Sequence, residues 1–156
     1  MSTRSTLRWL DRDGNVVAQI YRHSDGYPSI VIPDLAEFFK WDTRANVPEY
    51  SAANFIYYMK MTMKELDEKI RAELGYKRPI ETLEHLGYGI QNPNDGINDD
   101  VQYLYEIQYV YTPGKGKDVL DYIRIKVSKD MLRSGKLEWQ FEGTLKEAIG
   151  HNWEED

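Results

Sequence analysis

The sequence predicts an α+β domain: a mainly antiparallel sheet, built from an N-terminal hairpin plus C-terminal strands, with helices packed on one face. Three observations predict it. Apolar and polar residues alternate at both ends of the chain, an apolar stripe recurs at helical spacing in the middle, and turn formers separate the two patterns.

Residues 3–10 and 16–22 read as paired strands joined by "DRDGN" (11–15), in which Asp13-Gly14 supplies the positive φ of a tight connection. In "IPDLAEFFKW" (32–41), Ile32, Leu35, Phe38 and Phe39 share one helical face, and Pro33 falls in the first turn. "DTRANVPEY" (42–50) has no period and reads as loop. The longest helix is predicted from Ser51, as its N-cap, to Leu74, with Gly75 as its stop. Its apolar stripe is Phe55, Ile56, Met59, Met63, Leu66, Ile70 and Leu74. "PIETLEHL" (79–86) reads as a short helix and 88–90 as the start of a strand. "QNPNDGINDD" (91–100) is a polar loop whose acids are out of register for calcium.

The clearest strand pattern follows. Tyr103, Tyr105, Ile107, Tyr109 and Tyr111 alternate with Leu104, Glu106, Gln108 and Val110. After "TPGKGKD" (112–118), Asp121, Ile123, Ile125 and Val127 form a second alternating row, and Leu137, Trp139 and Phe141 a last one. Thr144 and Glu147 have the spacing of a capping box that opens a C-terminal helix. No repeat or linker divides the chain, so residues 1–156 read as a single domain.

Composition narrows the function. The net charge of −6 argues against a nucleic acid polymer as partner, since phosphate neutralisation needs surplus Lys and Arg. Arg4, Arg8, Arg12 and Arg22 nevertheless face only Asp11 and Asp13 in the first 23 residues, a basic pole suited to a small anion. With no cysteine, thiolate zinc sites, disulfides and a cysteine nucleophile are ruled out. No run resembles a signal peptide or a membrane span, so the expected location is the cytoplasm, that of the host if the chain is viral.

Chemistry concentrates in "YRHSDGYP" (21–28). Ser24 between His23 and Asp25 does not make a triad, because neighbours along an extended chain point to opposite sides. His23, His85 and His151 lie in different elements with no paired spacing, and no metal site or cofactor is expected. Glu106 is a base or acid if its face is buried, and a cross-strand partner of Arg124 or Lys126 if that face is wet. Binding of a small anionic, nucleotide-derived ligand uses the stretch best. Arg4, Arg8 and Arg22 would grip phosphate, Tyr21 and Tyr27 would stack on a base, and His23 and Asp25 would make polar contacts. No Gly-rich phosphate loop occurs, so side chains would make the grip. As a turn only, the same stretch would depend on Asp25, Gly26 and Pro28 for its shape.

Several stretches together resemble a family of small proteins encoded by phages and prokaryotes. They are Thr3-Arg4-Ser5, the "YR-x-x-DGYP" element at Tyr21–Pro28, "LAEF" at Leu35–Phe38, "YEI" at Tyr105–Ile107 and "FEGT" at Phe141–Thr144. Residues 42–90 share little of the resemblance. Where that family continues with further glycines after "DGYP", this chain reads "SIVIPD", which removes the backbone a Gly-dependent ligand contact would use. The resemblance implies a shared fold and a viral origin, and no activity.

Three functions are therefore expected in order. The first is a non-enzymatic binding protein for a small anionic ligand, sequestering a host signal molecule if viral. The second is a protein-interaction module, acting through the Tyr-rich strand or as a homo-oligomer. The third is a metal-free hydrolase.

Overall fold

A computed structural model describes residues 3–75, 87–95, 101–114, 118–129 and 138–155. The elements run β1 (Ser5–Leu10), β2 (Val16–Arg22), α1 (Pro28–Trp41), α2 (Pro48–Leu74), β3 (Tyr88–Gln91), a 3-10 turn (Pro93–Asp95) and β4 (Tyr103–Tyr109). They continue with α3 (Val119–Tyr122), β5 (Ile123–Lys129), β6 (Glu138–Thr144) and α4 (Leu145–Ile149). The fold is α+β, as predicted. Among the described residues, one six-stranded sheet has the order β3-β2-β1-β4-β5-β6, antiparallel except between β1 and β4. That parallel pair is the consequence of inserting the helices between the hairpin and the later strands, because a parallel neighbour needs a long crossover.

Strand alternation divides the side chains between two faces. On the helix face, Leu7, Trp9, Ile20, Tyr105, Ile107, Ile123, Ile125 and Val127 are buried against Val31, Leu35 and Phe38 of α1 and Phe55 and Met59 of α2. The predicted hairpin is present. Gly14 has φ 87°, and the Asp11 carboxylate accepts from the backbone N–H of Asn15 and, to a lesser effect, of Asp13, which holds its pKa below the usual range. The capping box of α4 is also present, with Thr144 Oγ1 accepting from Glu147 N at 3.1 Å.

Several expectations are corrected. α1 begins at Pro28, four residues early, so Pro33 lies inside the helix and Pro28 takes the first position, where a missing N–H costs nothing. α2 begins at Pro48 after Val47, so the end of the predicted loop is helical and Ser51 is no cap. Ser51 is buried within α2, accepting from Trp9 Nε1 at 3.2 Å and donating to Asp42 Oδ2 at 2.8 Å. The α2 stripe is buried only at Phe55 and Met59. Leu66, Ile70 and Leu74 are exposed, since 27 helical residues span about 40 Å and the strands only about 23 Å.

Asp121 belongs to α3, not to the β5 row, and pairs with Lys146 at 3.6 Å. Trp139 and Phe141 do not share a face. A bulge pairs Val127 with Phe141 but Ser128 with Trp139, sending the two rings to opposite sides. Leu137 and the helix predicted over 79–86 lie outside the described residues. No helix among the described residues is long and apolar enough to cross a membrane.

Candidate functional site

At the end of β2, Tyr21 points to the second face of the sheet and Arg22 to the helix face. Arg22 is buried. Its Nε donates to Ser24 O at 2.9 Å, its Nη1 to Asp34 Oδ2 at 2.9 Å, and its guanidinium lies 5.7 Å from the Tyr88 ring centre. Burial pushes the Asp34 carboxyl up, against the opposing pull of Arg22. The Tyr88 hydroxyl is buried without a hydrogen-bond partner among the described residues, and burial raises its pKa.

The turn that follows is shaped by the backbone. Asp25 takes the left-handed conformation with φ 56° and is exposed. Gly26 has no room for a side chain: a Cβ there would lie 2.8 Å from Ser5 Cβ and 2.9 Å from Thr3 O. Its N–H donates to Thr3 O and its carbonyl accepts from Tyr105 Oη at 2.6 Å. Tyr27 precedes α1 and packs beside Tyr103, with ring centres 6.0 Å apart. The first turn of α1 is closed from the other end of the chain, where Glu155 accepts from Ser29 N at 2.6 Å and Ser29 Oγ at 2.7 Å.

The seven candidates thus do not converge on one spot. Arg22 and Tyr27 belong to the helix side and Asp25 to the turn. Arg8 and Tyr21 share the second face, and Arg4 precedes the first residue of β1. His23 joins them through a 2.8 Å hydrogen bond between Tyr21 Oη and His23 Nδ1. Arg4 is half-buried and engaged within the fold.

Register shows what else lies on that face. One row across the strands reads Gln91, Gln19, Arg8, Glu106, Lys126, Glu142, and the next reads Gly89, Tyr21, Thr6, Leu104, Ser128, Trp139. Arg8 Nε donates to Gln19 Oε1 at 2.9 Å, and Gln19 Nε2 to Gln91 Oε1 at 3.0 Å, which fixes the guanidinium in place. Glu106 stands opposite Lys126, as the cross-strand reading expects, and opposite Arg8 on its other side. Lys126 Nζ sits 4.6 Å from the Trp139 ring centre. Thr6 and Ser128 are fully buried, and neither hydroxyl has a hydrogen-bond partner among the described residues. Thr6, Lys126, Ser128 and Trp139 escaped the sequence reading because only the pairing register brings them together.

Of the Tyr-rich segment, Tyr103 and Tyr105 are buried beneath the helices, Tyr109 is half-buried and Tyr111 is exposed. At the opposite end of the sheet, a cleft of about 500 Å³ is lined by residues including Arg12, Glu49, Tyr109 and Tyr111. Another, of about 340 Å³, is lined by residues including Asp121, Arg124 and Lys146. None of the seven candidates lines either cleft. No family model, curated protein or solved structure matches this chain, so the resemblance carried by its motifs gains no further support.

Proposed function

We propose that this chain is a binding domain for a small anionic ligand, held on the second face of the sheet by Arg8 and Lys126. The observation that carries the reading is the register that sets Arg8 and Lys126 on one face of the sheet, one on each side of β4. Among the described strand residues of this face, Arg8, Arg124 and Lys126 outnumber Glu106 and Glu142, in a chain whose net charge is −6.

Melting curves in inorganic phosphate, pyrophosphate and a nucleoside diphosphate, at low and raised salt, test this reading. The parent is expected to be stabilised in proportion to ligand charge, less so at raised salt. An Arg8→Gln, Lys126→Gln double variant is expected to lose the response. An equal response in parent and variant, or none in the parent, would overturn it.

A further inference from the structure

We infer that the cleft between the β1–β2 turn, the start of α2 and the end of β4 binds a small zwitterion with an apolar body: an aromatic amino acid, or a short aromatic peptide with both termini free. The inference goes beyond the anion-binding reading and uses none of its residues.

The cleft holds about 500 Å³, a size that suits a small molecule. Its walls are apolar at Leu10, Pro48 and Val110, and the rings of Tyr109 and Tyr111 line it as well. Tyr111 is 62% exposed, although its ring rests on that of Tyr122 with centres 5.2 Å apart. A ring left in water inside a cleft gains from being covered by an apolar group.

Two charges of opposite sign complete the lining, Arg12 from the hairpin turn and Glu49 from the first turn of α2. Both are exposed, and the side chain of neither has a hydrogen bond or ion pair with a described residue. They share the cleft without pairing. A guanidinium takes a carboxylate through two parallel hydrogen bonds, and a carboxylate accepts from an ammonium. A ligand that carries both groups therefore answers both residues at once. A plain anion would meet Glu49 unanswered, and a plain cation Arg12. Asp11 also lines the cleft, but its carboxylate is taken up by the turn, accepting at 2.9 Å from Asn15 N and from Asp13 N. Its charge still sides with the ligand's ammonium.

The backbone around the cleft is held in place by hydrogen bonds. Gln108 Nε2 donates to Asp11 O at 2.9 Å, which ties the hairpin turn to β4. Asp11 N donates to Asn15 O at 2.9 Å and closes the turn that carries Arg12. Val110 N donates to Tyr122 O at 2.7 Å, fixing the chain between the two rings, and Val47 N donates to Arg44 O at 2.9 Å at the entry to α2. Only exposed side chains have to be ordered by a ligand, which keeps the entropic cost of binding low.

Calorimetric titration of the full chain with phenylalanine, glycyl-phenylalanine, 2-phenylethylamine and 3-phenylpropanoate tests the inference. The parent is expected to bind at least one of the two zwitterions, one per chain, at least about tenfold more tightly than the amine or the acid alone. The tighter of the two shows whether a free amino acid or a peptide is the ligand. Arg12→Gln and Glu49→Gln are each expected to lower that affinity about tenfold. Tyr111→Ala should weaken binding and Tyr111→Phe preserve it, whereas the Arg8→Gln, Lys126→Gln double variant should bind as the parent does. Equal affinity for the amine or the acid, unchanged affinity in Arg12→Gln or Glu49→Gln, loss of binding in the double variant, or no saturable binding of either zwitterion would overturn the assignment. None of these results bears on the anion-binding face, which pyrophosphate tests separately.

Discussion

The Arg22 guanidinium is bonded to the Asp34 carboxylate at 2.9 Å, across the turn that joins β2 to α1. This pair decides what the most chemistry-rich stretch of the chain does. The arginine that charge alone would assign to phosphate is instead a strut between the sheet and the first long helix. Arg22→Ala would leave Asp34 half-buried without its counter-charge and free the Ser24 carbonyl. A loss of about 2–3 kcal/mol is expected, below the range for a fully buried pair because Asp34 keeps some solvent. His23→Ala, at an exposed position, should change stability little. Separate melting curves for the two variants check this, and equal Tm values would show that Arg22 is not a strut.

Two phenols on the helix side make opposite predictions. Tyr105 Oη donates to Gly26 O at 2.6 Å, whereas the Tyr88 hydroxyl has no partner among the described residues. Tyr105→Phe should destabilise by about 1–1.5 kcal/mol and leave a buried carbonyl unpaired, while Tyr88→Phe should be neutral or stabilising. Denaturant titrations of both variants against the parent measure the difference.

Burial raises the pKa of both phenols in the folded chain. The unfolded chain therefore loses these protons first, as pH passes the ordinary phenol value of 10.0. Stability contributed by the buried neutral phenols is fully present below that pH and is lost as pH rises towards the folded-state values. Chemical denaturation at a series of alkaline pH values should show this fall. Tyr105→Phe should flatten the slope.

Ser51 supplies a further test, because its hydroxyl links the sheet to both long helices. Removing it in Ser51→Ala would strip Trp9 Nε1 of its acceptor and Asp42 Oδ2 of a donor. A cost of about 1–3 kcal/mol is expected by thermal melting, more than for loss of an exposed N-cap. Ile125→Asp should cost several kcal/mol by placing a charge in the core, and Lys126→Gln little. Equal tolerance of these two would mean that the β5 register is wrong.

Local pattern and long-range pairing were legible to different degrees. Hairpin, capping box and the Gly75 stop are written in neighbouring residues, so β1, β2 and α4 could be read directly. A serine before an apolar run has the pattern of a cap, whereas the partners of Ser51, Trp9 and Asp42, are distant in sequence or lie across a loop. The bulge opposite Val127 and Ser128 is invisible in a strict alternation, which puts Trp139 with Phe141 rather than with Lys126. The candidate site was half legible for the same reason. Arg8 and Tyr21 are visible in the hairpin alone, but their counterparts on β5 and β6 follow only from the parallel β1–β4 junction.

The most direct test of the binding face is a methyl-detected NMR titration of the protein with pyrophosphate at low salt. Thr6 and Leu104 carry methyl groups on the second face, whereas Ile125 and Val127 carry theirs among the helices. The account predicts saturable shifts at Thr6 and Leu104, weakened by salt, with Ile125 and Val127 nearly unmoved. Shifts confined to the cleft by Leu10 and Val110, or no saturable shift at all, would contradict it.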